Sequence, residues 1–293
     1  MQNKKRILIL GADGYLGTKL ISLLNENEFF IDKFDKFPQS KNTQLLDIKD
    51  TNEVIKIIND KHYDVIVCLV GLLPGSARKK KLYSTNLSAV SYLKKFQTSS
   101  HFIFCSSTAI YKNIKFDKEL IQEPFEVYGK SKLECEEIIK ASTSSYTILR
   151  IGTMLSPDRQ GGVMKILKRI KNGKLIWLPF KGYVTHPFVG AEDVASAIKY
   201  LCTNNINGTF DLIANNRKTL NELAHQLNSK QRIINNRFLN WLSNFIGSDN
   251  LPVFGISKWH LNALKYDIPV SKNENMWEYT QLDDMSIVLN KAL

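Results

Sequence analysis

The segment Gly11-Ala12-Asp13-Gly14-Tyr15-Leu16-Gly17 limits the fold of this chain most strongly, because of where it stands. An apolar run, Arg6–Leu10, leads into it, and an amphipathic stretch, Tyr15–Leu24, grows out of it. A strand, a tight glycine turn and a helix start, in that order, open a βαβ unit. Gly11 permits the turn, Gly14 allows close backbone approach to an anion, and Gly17 lets the helix pack tightly on the strand. The free N–H groups of the first helical turn and the positive end of the helix dipole converge there. A pyrophosphate is the expected occupant, with Asp13, Tyr15 and Leu16 completing the loop around it.

The same rhythm continues through the first half of the chain. Strand-like runs fall at Phe29–Phe34, Gln44–Leu46, Asp64–Val70, His101–Cys105 and Tyr146–Ile151. Amphipathic stretches at Asn52–Ile58, Ser88–Phe96 and Lys132–Ala141 separate several of them. This alternation predicts an α/β fold, a doubly wound parallel sheet covered by helices on both faces. Residues 1–151 read as a dinucleotide-binding core and residues 152–293 mainly as a small C-terminal lobe. A strand and helices at about 188–214 are expected to return to the core. Thr219 and Glu222 have the spacing of a capping box, and Arg237–Ile246 has a wide apolar face that reads as lobe core or a homodimer seam.

Asp35 stands 18 residues after Gly17, at the end of the second strand. A carboxylate at that distance suits the hydroxyls of an adenosine ribose and repels a 2′-phosphate. NAD is therefore expected ahead of NADP, although Lys33 and Lys36 soften the preference. Asp47-Ile48, after the third strand, is placed to flank the adenine.

Tyr128 and Lys132 lie four residues apart, one helical turn on one face. A free tyrosine hydroxyl is a poor base at neutral pH, and a cation one turn away stabilises its phenolate. Such a pair can exchange a proton with an alcohol or carbonyl oxygen. Cys105-Ser106-Ser107-Thr108 places hydroxyl groups at the carboxyl end of the fifth strand, where open α/β sheets bind ligands. Ser107 is the candidate donor to the same substrate oxygen, with Thr108 as its alternate.

Taken as an ordered set, the glycine loop, Asp35, Ser106-Ser107-Thr108-Ala109-Ile110-Tyr111, Tyr128-Gly129-Lys130-Ser131-Lys132 and Glu192-Asp193-Val194-Ala195 resemble the extended short-chain dehydrogenase/reductases, the NAD-dependent epimerase/dehydratase group. The resemblance spans about residues 5 to 225. It implies a Ser107–Tyr128–Lys132 catalytic set, and it places Gly71 and Asn86 beside the cofactor. It further implies hydride transfer at a carbonyl or alcohol carbon of a nucleotide-diphosphate sugar, by a 4-keto reductase or an epimerase. Dehydration is less expected, because no acid follows Ser107. The chain departs from the pattern at Ser156-Pro157, where Gly-Pro is common, and at His186, where many members carry an arginine. His186 and Arg159 are the candidate substrate contacts. The Thr185-His186-Pro187-Phe188 stretch is similar to an atypical branch and motivates an alternative, a non-catalytic NAD(P)-binding accessory subunit or redox sensor.

Composition restricts the other classes. The net charge of +12 invites nucleic acid as a partner, but the basic residues are spread along the chain and match no nucleic-acid-binding motif. Arg78-Lys79-Lys80-Lys81 is the one dense cluster and reads as a solvated helix start or a phosphate-attracting rim. No apolar run reaches the roughly 20 residues of a membrane span, and the N-terminus lacks a signal-peptide pattern, so the cytoplasm is the expected compartment. Cys68, Cys105, Cys135 and Cys202 lack metal-ligand spacing and read as core residues. No metal is expected.

Overall fold

The computed structural model describes residues 4–96, 99–111, 126–158, 162–215, 218–245 and 285–292. Its centre is a seven-stranded parallel sheet made of β1 (Lys5–Leu10), β2 (Phe29–Asp35), β3 (Thr43–Leu45), β4 (Val65–Cys68), β5 (His101–Ser107), β6 (Tyr146–Ile151) and β10 (Gly208–Leu212). The strand order is β10-β6-β5-β4-β1-β2-β3, a Rossmann-like arrangement.

The apolar runs explain why both faces are covered. Successive strand side chains point to opposite faces. In β1, Ile7 and Ile9 enter one apolar layer and Leu8 and Leu10 the other; in β4, Val65 and Val67 oppose Ile66 and Cys68 in the same way. The first layer is closed by α1 (Tyr15–Leu23) and α6 (Ala191–Thr203), through residues such as Leu20, Ile198 and Leu201. The second is closed by α2 (Thr51–Lys61) and α4 (Val127–Ser142), through Val54, Ile58, Cys135 and Ile139. Each such fully buried aliphatic side chain contributes about 1.5–3 kcal/mol. All four cysteines are free thiols.

The helix expected at Ser88–Phe96 lies earlier. Helix α3 spans Lys79–Ser88, and a short 3-10 turn follows at Ser91–Lys94. Leu82 and Asn86, four residues apart, are the buried positions that set its phase. The basic cluster is therefore a helix start, with Arg78 at the N-cap.

Beyond β6 the chain builds the lobe. Two short parallel pairs form there: β7 (Thr153–Leu155) with β9 (Phe188–Gly190), and β8 (Ile176–Leu178) with β11 (Gln231–Ile233). Helices α5 (Gly162–Lys171), α7 (Leu220–Gln226), α8 (Asn236–Phe245) and α9 (Met285–Ala292) complete the described part. A third apolar cluster, including Leu155, Leu167, Ile170, Phe188, Leu220 and Val288, is its core. Helix α7 begins with the expected capping box: Thr219 Oγ1 accepts from the Glu222 amide, and Glu222 accepts from the Thr219 amide. Gly152, between β6 and β7, marks the crossing. A Cβ there would lie 2.0 Å from the carbonyl oxygen of Pro187.

Candidate active site

The chain winds from β1 outward to β3 and then back across to β4 and beyond, so the order reverses between β1 and β4. Ligands of open α/β sheets bind outside the carboxyl ends of the strands at such a reversal. Gly11 lies there with φ 86°, a left-handed conformation suited to glycine. A Cβ on it would stand 3.2 Å from the backbone of Leu69 and Val70, so the loops after β1 and β4 touch. At Gly17 a Cβ would lie 2.4 Å from the carbonyl oxygens of Gly11 and Ala12, so helix α1 rests directly on the turn. Helix α1 starts from Gly14 with no side-chain cap and no acidic residue in its first turn. Its leading amides and dipole suit an anion, and the cradle fits a dinucleotide's pyrophosphate. Leu16 is buried and Tyr15 half-buried beside it.

The side chain of Asp13 braces a neighbouring loop. Its carboxylate accepts from the amides of Gln39 and Ser40 and from Thr43 Oγ1. Although burial opposes it, the donors of Gln39, Ser40 and Thr43 hold this carboxyl down at about 2. Asp35 accepts the Asp13 amide on one oxygen (3.1 Å) and the Phe37 amide on the other (3.0 Å). The loop after β2 is thus tied twice to the glycine turn. Asp47 forms an ion pair with Lys36 at 2.6 Å, and this partner pulls its carboxyl below the usual range. Ile48 is buried in the core layer beneath the sheet.

The second half of the site gathers around helix α4. Lys132 is buried, its ammonium 2.8 Å from the Cys105 carbonyl and 4.6 Å from the centre of the Phe104 ring. A Cβ on Gly71 would meet Lys132 Nζ at 3.3 Å and Asn86 Oδ1 at 3.5 Å, so Gly71, Asn86 and Lys132 converge. Asn86 accepts from the Leu72 amide at 2.7 Å and donates to Ser131 Oγ, which donates to the Tyr128 carbonyl. Tyr128 is 6% exposed in a small cluster with Ala77 and Leu82, against which Leu72 and Ala109 also pack. Ala109 belongs to the 3-10 turn Thr108–Ile110, which Ser107 caps by accepting the Ala109 amide. Thr108 is buried in that turn.

A buried polar network behind this group was not read from the sequence. Glu136, one turn beyond Lys132 on α4, accepts from Ser106 Oγ at 2.6 Å and forms an ion pair with Arg150 at 2.9 Å. Arg150 also donates to the Tyr111 hydroxyl, which donates to Asp211 on β10. Burial works against the Arg150 charge, but Glu136 outweighs it and holds the guanidinium protonated. Burial, followed by the carboxylate of Asp211, raises the Tyr111 hydroxyl far above its usual range. These residues fasten α4 to β5, β6 and β10. Arg150, the lone charge in the otherwise apolar strand β6, was the available signal, whereas Glu136 stands between Glu134 and Glu137 and is not marked out.

Of the candidate substrate contacts, His186 is buried with its ring 5.3 Å from that of Phe188 in the lobe core. Arg159 lies outside the described residues. Next to it, Asp158 accepts from Tyr15 and pairs with Lys19, which also reaches Glu192 at 2.8 Å. Ser156, where the resemblance anticipates glycine, is buried and donates to Asp158 and Glu192. The segment after β7 is thereby pinned to the phosphate-loop helix.

A sequence profile of the NAD dependent epimerase/dehydratase family matches residues 7–212. The chain belongs to that family. Among curated relatives, it is 28% identical over 213 residues to the N-acetyl-alpha-D-glucosaminyl-diphospho-ditrans,octacis-undecaprenol 4-epimerase of Escherichia coli O157:H7, covering 68% of this chain and 63% of that one. It is 27% identical over 179 residues to the dTDP-4-dehydrorhamnose reductase of Aggregatibacter actinomycetemcomitans, covering 58% and 59%. The chain thus spans about 60% of the length of these relatives. Its fold resembles the crystal structure of the dTDP-4-dehydrorhamnose reductase of Bacillus anthracis in complex with NADP (TM-score 0.70, 18% identity, 99% and 98% of the two chains). It also resembles the L-threonine dehydrogenase of Phytophthora infestans (TM-score 0.72, 17% identity, 98% and 97%). The family is NAD(P)-dependent, and one epimerase/dehydratase frame therefore carries several chemistries.

Proposed function

We propose that this chain catalyses reversible hydride transfer between a bound nicotinamide dinucleotide and a carbonyl or alcohol carbon of a nucleotide-diphosphate sugar, as a 4-keto reductase or an epimerase. The observation that carries the reading is the convergence of Gly71, Asn86, Lys132 and the Tyr128 cluster beside the phosphate turn, at the reversal of the strand order. The names of the relatives supply the substrate class, since they describe diphosphate-linked sugars and their 4-keto forms.

The loop from Gly11 to Gly17 would hold the pyrophosphate, Asp35 the adenosine ribose, and Asn86 and Lys132 the nicotinamide side. When bound, the nicotinamide supplies or accepts the hydride. Tyr128 moves the matching proton at the substrate oxygen, and Ser107 donates a hydrogen bond to that oxygen. Lys132 stabilises negative charge on the tyrosine oxygen and orients the cofactor ribose. NAD is the proposed cofactor. Asp35 is gripped by two backbone amides, so it cannot swing aside to admit a 2′-phosphate without losing both bonds.

Absorbance at 340 nm, followed with nucleotide-diphosphate sugars and their 4-keto derivatives, tests this reading. Tyr128→Phe should bind the cofactor normally and lose about 10²–10⁴-fold in turnover. Stoichiometric NADH consumption marks a reductase, and interconversion without net consumption marks an epimerase. Tight cofactor binding with no turnover on any substrate would replace the reading with that of an accessory binding subunit.

A further inference from the structure

The lobe carries its charge unevenly. Residues 162–187 include six lysines or arginines and residues 223–245 include three more, with no Asp or Glu in either stretch. In a chain with 28 acidic residues, that segregation gives these two stretches a single sign, although Glu222 on α7 lies just outside them. The same elements expose large aromatic groups. Trp177, Tyr183, Phe238 and Trp241 are 52% to 61% exposed. On β8, Ile176 and Leu178 point into the lobe core, which turns Trp177 outward. Strand β11 sets Arg232 opposite Trp177 in register, with the guanidinium 5.7 Å from the ring centre, and leaves Ile233 exposed beside it. Helix α8 and β11 both pack against the 3-10 turn Pro179–Gly182 that follows β8. On α8, Phe238 and Trp241 stack at 6.0 Å between ring centres. Helix α8 itself carries few cations, Arg237 being its one basic residue. The fold supplies them from other elements: Lys174, Lys181, Lys230 and Arg232 are all exposed nearby in the lobe, together with Arg237 on α8 itself.

We propose that this face of the lobe docks on the surface of an anionic lipid bilayer. Tryptophan and tyrosine favour the boundary between headgroups and hydrocarbon, because each has an apolar body and a polar edge. Lysine and arginine around them complement anionic headgroups. A second copy of the chain is a poorer occupant, because a self-complementary contact would set one positive face against another. The proposed attachment is peripheral; among the described residues no helix is long and apolar enough to cross a membrane. The inference goes beyond the hydride-transfer reading and does not depend on it.

Flotation of the full chain with vesicles tests it. At low salt the protein should rise with phosphatidylglycerol/phosphatidylcholine vesicles and stay behind with phosphatidylcholine alone. Lys174→Gln with Arg232→Gln should weaken partitioning about 25-fold, roughly five-fold for each charge removed near an anionic surface. Trp177→Ser with Trp241→Ser should abolish flotation. Circular dichroism and dinucleotide binding should stay unchanged in both variants, which separates this result from any failure of the catalytic reading. No flotation of the wild type, or flotation that persists in both variants, would overturn the proposal. A dimer seen by light scattering that both variants dissolve would assign the face to self-association instead.

Discussion

The two ends of this chain hold their shape by different means. In the core, helix α4 is fastened to the sheet by buried polar contacts, Glu136 to Ser106 and Arg150, and Lys132 to the Cys105 carbonyl. The lobe rests on one apolar cluster and on strand pairs of three residues each, with several of its aromatics turned outward. A proton-transfer site needs its groups held within a fraction of an ångström, and polar contacts with fixed directions do that better than apolar packing. The difference teaches that geometric specification is concentrated around α4.

The sharpest way to break this contrast is Glu136→Ala. Removal of one partner from a buried ion pair costs about 3–5 kcal/mol, because the remaining charge is stranded. Urea unfolding should show that loss. If Glu136→Ala were as mild as a surface change, the locked-core description would fail.

A somewhat smaller effect is expected at His101, where the ring joins Ser145 Oγ to Thr147 Oγ1 at 2.9 and 2.8 Å. Burial, with a smaller contribution from Lys5, pulls this imidazole from 6.5 down to about 4. The unfolded chain therefore takes up the proton at higher pH than the folded one. Stability from the neutral ring is complete above about pH 6.5 and is lost as pH falls from there toward 4, by on the order of 3 kcal/mol. Urea midpoints measured between pH 7 and 4 should fall less steeply in His101→Asn than in the wild type. Equal slopes would remove His101 from the account.

The smallest effect belongs to the lobe. Thr219→Ala deletes the cap of α7 and should cost about 1 kcal/mol. Hydrogen exchange should place that loss in residues 219–227 and leave α4 unchanged. A loss that spread to α4 would show core and lobe to be one cooperative unit.

Much of the core was legible because its signals are local. The alternation of apolar runs gave the sheet, and the glycine spacing gave the turn before α1. Tyr128, Lys132, Ser107, Asn86 and Gly71 were marked out by motif and strand position, and the fold brings Gly71, Asn86 and Lys132 within contact distance. What escaped depends on distant residues. The link from Ser106 through Glu136 and Arg150 to Tyr111 and Asp211 joins positions up to 105 residues apart, and the lone charge in β6, Arg150, does not say which distant residues it meets. Strands β7, β8, β9 and β11 are three residues long, too short for alternation to register. Helix α3 was misplaced because its apolar positions are sparse and the following residues, Val90, Tyr92 and Leu93, are buried without belonging to it.

The route of the backbone through Gly152 has a consequence for anyone wishing to exchange lobes between relatives. The chain leaves the sheet there, visits the lobe, returns to supply α6 and the outermost strand β10, and departs again. The Gly152 amide donates to Leu212, and Thr153 donates to Pro187, so outgoing and returning strands are stitched together at the border. A graft cut at a single point would tear out a sheet edge along with the lobe. An exchangeable cassette must be excised in at least two pieces, and a glycine must be kept at the seam.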